Sequence, residues 1–185
     1  SRDLGNTKIR KTQESAKDDP RFQDVLLANM SLMPNTTICP SCQIAGCLHL
    51  CLKDSGRQFP TISKARQKKT DYFLNHRDDF LNQLRNELDL FQIHCARKNK
   101  RPFVRLNTLS DIQWERTGIP QTFQDINFID YTKLAKRIGR VPYNYKLIFS
   151  YSKAPAYQKQ VDLALQTDAP IAVVFDKIPT DPSYR

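Results

Sequence analysis

Four cysteines stand close together in this chain, in the segment CPSCQIAGCLHLC that runs from Cys39 through Cys42 and Cys47 to Cys51. Their spacing is C-x2-C-x4-C-x3-C. Thiolates are soft ligands that select zinc, copper(I) or iron–sulfur clusters. Structural zinc sites usually join two short ligand pairs across a longer loop, whereas iron–sulfur clusters are often held by several short spacings within one loop. By spacing alone the two occupants are near equal. A metal site on Cys39, Cys42, Cys47 and Cys51 is expected either way. His49 lies between the last two cysteines and could replace one of them, although a surface histidine beside the site is the commoner outcome. The fifth cysteine, Cys95, falls on an apolar helical stripe, where a buried free thiol is the default.

Other chemistry is poorly served. There is no phosphate-cradling glycine loop and no nucleophile-elbow serine. The three histidines, His49, His76 and His94, form no metal pair. His76 beside Asp78 and Asp79 reads as a local ion pair. The net charge is +10, and a chain this basic often meets phosphate backbones. The basic residues gather in three clusters: Lys64, Arg66, Lys68 and Lys69; Arg97, Lys98, Lys100 and Arg101; and Lys136, Arg137 and Arg140. Helix-end electrostatics accounts for part of the second cluster. Tyr143, Tyr145, Tyr151 and Tyr157 lie near the third. Basic residues interleaved with aromatics suit nucleic acid, single-stranded above all, although tyrosines of this kind are more often half-buried in sheets.

The elements that must position these groups follow from the hydrophobic pattern. Residues 1–20 are polar and basic and read as a flexible arm. Residues 21–185 read as one α/β domain that includes the cysteine loop at 34–60. Residues 22–33 are apolar enough for a strand or turn. Phe73, Phe80, Leu84, Leu88, Phe91 and Cys95 mark one face of a helical region over 61–98, with a second helix beginning near Asp78 and Asp79. Short apolar runs at 103–106, 127–131, 146–151 and 171–175 alternate with helix candidates at 111–117, 132–138 and 156–166. Asp111 caps the first of these, and Gly118 and Gly139 end the first two. This alternation predicts a mostly parallel sheet or a partial (β/α) barrel with the cysteine-rich metal-binding loop at its amino-terminal end. Ligands in such folds bind at the carboxyl ends of the strands, so Asn107, Ser110 and Asp111 are candidate cofactor-binding residues. Further strand-end residues are Thr108, Thr132, Lys133, Ser152, Lys153, Asp176 and Lys177. No apolar run is long enough to span a membrane.

A resemblance adds to this. GNTKIRKT at 5–12, SLMP leading into Cys39-Pro40, AGC-x3-C at 45–51, SGR at 55–57, KAR at 64–66, VRLNTLSDIQWE at 104–115, DYTK at 130–133 and KLIFSYS at 146–152 occur in this order. The set resembles the bacteriophage gene product 88 family, with Cys39, Pro40, Cys47 and Cys51 matching its core and Cys42 an addition. The resemblance implies a phage protein in the host cytoplasm and favours a 4Fe-4S iron–sulfur cluster over Zn2+. The cysteine loop followed by β/α repeats is also remotely similar to the radical S-adenosylmethionine enzymes, whose signature is C-x3-C-x2-C. Cys47 and Cys51 supply its first half, and Asp54 stands at the third position. In that reading an open cluster iron would serve an enzyme. In a third reading, zinc staples a binding module without chemistry.

Overall fold

The computed structural model describes residues 19–47, 51, 59–177 and 180. The expected basic arm falls outside the described residues except for Asp19 and Pro20, as do His49 and Asp54. Five strands form one parallel sheet in sequential order: β1 (Val25–Asn29), β2 (Arg101–Arg105), β3 (Asn127–Thr132), β4 (Tyr145–Ser150) and β5 (Ile171–Ala172). Successive parallel neighbours joined by right-handed crossovers wind in one direction and leave their connections on one face. The sheet is parallel throughout, as the alternating runs predicted.

Register shows which face is covered. Ala28, Val104, Phe128 and Tyr145 stand side by side across β1 to β4. Asp130 then pairs with Leu147, and Thr132 with Phe149. Strand side chains alternate with period two, so these residues share a face, and both hydrophobic clusters are built on it. The larger joins Val104, Leu106, Phe128, Tyr145 and Leu147 to helix residues Phe80, Leu84, Leu88, Phe91 and Cys95. The smaller joins Phe149 to Ala45, Tyr157, Val161 and Ala164. On the opposite face Leu27, Phe103, Ile129 and Ile148 are only half-buried, and Tyr131 is 38% exposed.

The long connection from β1 to β2 carries α1 (Pro60–Asn75) and α2 (Arg77–Arg97). The apolar stripe is buried as its spacing predicted, Cys95 included. The break falls at His76, whose φ of −136° and ψ of 56° leave the helical region. Its ring lies 5.9 Å from that of Tyr72, and no ion pair to Asp78 or Asp79 occurs among the described residues. Phe73, Phe80 and Trp114 pack ring against ring at this corner.

The first two crossovers after β2 carry less helix than predicted. The first holds a 3-10 turn at Trp114–Thr117 and the single-turn α3 (Ile119–Thr122), the second a 3-10 turn at Ala135–Arg137. The last carries α4 (Gln158–Leu165). Gly118 sits between the two turns of the first crossover at φ +76°, a conformation open to glycine without strain. β5 is cut to two residues: Val173, Val174 and Phe175 of the predicted run lie beyond it, with Val174 95% exposed.

Candidate functional site

The described part of the cysteine loop, residues 34–47, docks at the carboxyl edge of the sheet. Asn35 begins it, its side-chain oxygen accepting the N–H groups of Thr37 and Ile38 at 2.9 and 3.1 Å. Two long-range hydrogen bonds dock the loop. The Asp111 N–H, beyond β2, donates to the Ile38 carbonyl at 2.8 Å. The Ser152 hydroxyl, beyond β4, donates to the Ala45 carbonyl at 2.7 Å. Gly46 turns the chain at φ +67°, where an added Cβ would stand 3.6 Å from Cβ of Ala154. The thiol and N–H of Cys47 both point at the Cys42 carbonyl, at 3.5 and 3.1 Å.

This docking gathers the thiols. Cys42 is buried, and Cys39, Cys47 and Cys51 are half-buried. Burial pushes the Cys39 thiol up to about 12, and Asp111 and the other three cysteines lie close enough to add to the effect. Burial also raises the Cys47 thiol, against the opposing pull of Lys133. Among the described residues, no three Cys, His, Asp or Glu side chains stand ready-made around an ion. Among the described residues the loop carries four free thiols. Its donor set fits a thiophilic metal or an iron–sulfur cluster and suits no hard cation.

Beneath the loop lies a buried polar network. Arg137 donates to Asp111 Oδ1 at 2.6 Å and to both oxygens of Glu115 at 2.9 and 2.8 Å. Its side chain is 1% exposed. Asp111 Oδ2 accepts the Lys133 N–H at 2.8 Å. Asp130, fully buried, accepts the Asn107 N–H at 2.8 Å and the Tyr145 hydroxyl at 2.9 Å. Burial raises the Asp130 carboxyl to about 7 and pushes the Tyr145 phenol above its usual value.

The network corrects several sequence expectations. Asn107 and Ser110 are not open to a cofactor. Asn107 Oδ1 accepts from Ser110 Oγ, Ile112 N and Trp114 Nε1 at 2.8, 3.0 and 3.1 Å, and its amide nitrogen donates to the Ile112 carbonyl. Asp111 is 4% exposed and committed to Arg137 and Lys133. Arg137 faces inward and is unavailable to a polyanion. Tyr145 and Tyr157 are buried and Tyr151 is half-buried, which leaves Tyr143, 72% exposed, as the most solvent-facing tyrosine of that group.

The remaining basic residues divide differently. Lys64, Lys68 and Lys69 are exposed on α1, with Arg66 half-buried, and no ion pair involves them among the described residues. Arg97 and Lys98 are exposed at the end of α2, and Lys136 and Arg140 beyond β3. Arg101 is bound to Asp24 through bonds of 2.6 and 2.9 Å. A recess of about 180 Å3 lies apart from the cysteines, between α1, α2 and the β1–β2 pair; Lys69 and Glu87 line it among chiefly apolar side chains.

Sequence reasoning missed Glu115, Asp130 and Tyr145 as network members. Asp130 alone carried a signal, as a carboxylate within the apolar run NFIDY. No helix among the described residues is long and apolar enough to cross a membrane. No curated protein and no solved structure matches the chain, so the remote similarity to radical S-adenosylmethionine enzymes finds no support. The family model for gene product 88 matches residues 1–184, and the chain belongs to the gene product 88 family of phage proteins.

Proposed function

We propose that this phage protein holds a thiolate-bound metal centre, a 4Fe-4S cluster in preference to Zn2+, on Cys39, Cys42, Cys47 and Cys51, and that it works on nucleic acid in the host cytoplasm during replication or genome handling. The observation that carries the first half is the docking of the cysteine loop over the carboxyl edge of a parallel sheet, which brings four thiols of one short segment within electrostatic reach of each other. Ligands of α/β sheets gather at that edge. The second half is supported by the exposed cations of α1, Lys64 and Lys68, which have no ion pair among the described residues, and by the net charge of +10. Single-stranded nucleic acid is favoured, since it can use an exposed aromatic such as Tyr143.

Anaerobic purification followed by metal and sulfide analysis tests the centre. A brown protein with four iron and four sulfide per chain is expected. One zinc per chain in a colourless protein would replace the cluster with a structural staple, and a metal-free folded protein would sink both. Cys42→Ser is expected to lose the centre if all four thiols bind. Retention of the cluster would make Cys39, Cys47 and Cys51 a three-thiolate site with one open iron. Binding of single-stranded DNA and RNA, followed against salt, tests the second half. Affinity that is absent at low salt would end it.

A further inference from the structure

The carboxyl edge of the sheet carries an unexplained set of polar atoms. Ser31 Oγ, Arg105 Nε and Thr108 Oγ1 are buried and have no hydrogen-bond partner among the described residues. Ser31 as a whole is 9% exposed. The three lie at or just beyond the ends of β1 and β2. Asn29 is paired with Arg105, the Met30 N–H donates to the Arg105 carbonyl at 2.9 Å, and the Thr108 N–H donates to the Met30 carbonyl at 3.4 Å. Ser31 and Thr108 are therefore neighbours across the ends of β1 and β2.

Alternation places Ser31 and Arg105 on the same face. Leu26, Ala28, Met30 and Leu32 all pack on the helix-covered side, so Ser31 takes the open side. Val104 and Leu106 pack on the covered side as well, so Arg105 also takes the open side. The Arg105 guanidinium lies 4.7 Å from the centre of the Tyr131 ring. Continuing the Val104–Phe128 register sets Arg105 beside Ile129, two residues before Tyr131, so its side chain leans towards the carboxyl edge. Further along that edge the Lys133 ammonium donates to Ser150 Oγ at 3.1 Å. Asp130 lies on the covered side and is engaged by Asn107 and Tyr145.

Buried donors without partners are destabilising, and more so when charged. Three near the same strand ends, one of them on a guanidinium, are unusual in a folded chain. Hydroxyls and a guanidinium together match the oxygens of an anion, and a guanidinium fork is suited to carboxylate or phosphate. We propose that the carboxyl edge of the sheet at the ends of β1 and β2, where Ser31, Arg105 and Thr108 lie and Arg105 meets Tyr131, is a binding site for an oxyanion group of a small ligand, a phosphate or a carboxylate. The site lies at and just beyond the ends of β1 and β2 rather than on the cysteine loop, and it does not depend on what the thiols hold.

Thermal denaturation of the full chain in sodium phosphate or sodium acetate, against chloride at equal ionic strength, tests this. A ligand that binds only the folded state raises the midpoint in a saturable way. Saturation by phosphate alone identifies a phosphate site, and saturation by acetate a carboxylate site. Arg105→Gln is expected to weaken the effective anion at least about tenfold, in keeping with a lost hydrogen bond to a charged group. Lys159→Gln, on an exposed position of α4, is expected to leave it unchanged. Should Arg105→Gln fail to fold, Arg105→Lys and Ser31→Ala give the same reading with smaller losses. Absence of saturation by both anions, or equal affinity in wild type and in the Arg105 and Ser31 variants, would overturn the proposal.

Discussion

Arg137→Met tests whether the polar network beneath the cysteine loop holds the carboxyl edge together. The guanidinium is 1% exposed and neutralises two carboxylates, Asp111 at 4% and Glu115 at 11% side-chain exposure. Its further contacts, Thr132 Oγ1 at 3.3 Å and the Tyr145 hydroxyl at 3.4 Å, are weaker. Methionine keeps much of the apolar stem and removes every donor. Breaking a buried ion pair by removing one partner costs about 3–5 kcal/mol, because a buried charge is left uncompensated. That is a large part of a domain's usual stability of about 5–15 kcal/mol. The loss has a pH signature. Burial already raises the Asp111 carboxyl with Arg137 in place, and without the arginine it rises further. A carboxyl raised in the folded state binds more protons there than in the unfolded chain, so stability increases as pH falls towards the unfolded value. Urea denaturation at pH 7.5 is expected to show the full deficit with an unchanged m-value, and the deficit is expected to shrink towards pH 5. Replacing both carboxylates as well, in Asp111→Asn/Glu115→Gln/Arg137→Met, is expected to recover part of the stability at pH 7.5. A deficit under about 1 kcal/mol, which is the scale of an exposed pair, or one that does not change with pH, would refute the reasoning.

Three further outcomes are expected. Asp130→Asn keeps an acceptor for the Asn107 N–H and offers a donor to the Tyr145 oxygen, and it abolishes the buried charge that wild type acquires as pH rises through about 7; the stability of the variant, measured by denaturant midpoint, is expected to fall less than that of wild type between pH 5 and pH 8. Trp114→Phe removes one of three donors to Asn107 Oδ1 and some buried area, and is expected to cost about 1–3 kcal/mol in urea denaturation. Lys64→Gln/Lys68→Gln is expected to lower the slope of log affinity for single-stranded DNA against log salt by up to about 1.4, if both lysines meet phosphates. An unchanged slope would place the nucleic-acid contact elsewhere.

Much of the architecture was legible along the chain. The stripe from Phe73 to Cys95 needs only the helical period, and each of its residues is buried. The runs at 103–106, 127–131 and 146–151 stand within a residue or two of β2, β3 and β4. The helix candidates at 111–117 and 132–138 shrank to single turns because their apolar residues serve the sheet and the polar network rather than a helical face. The run at 171–175 gave only two paired residues, since pairing depends on what the neighbouring strand offers. At the site, residue type could not say which strand-end groups are free. Asn107 and Arg137 look like surface binders in sequence and are internal scaffolding in the fold, where one orders the turn around Trp114 and the other neutralises Asp111 and Glu115.

Local pattern by itself determined the soft-ligand character of the cysteine segment, the helical stripe, the alternation of strands and the excess of positive charge, because each depends on residue type and short spacing. Tertiary structure alone decided where the cysteines sit, through hydrogen bonds from Asp111 and Ser152 that join residues far apart in the chain. It also decided which charges cancel internally and which donors are left without partners at the ends of β1 and β2. Hydrogen bonding and desolvation act between groups in space. The identity of a residue states what it can bond, and the fold determines what remains within its reach.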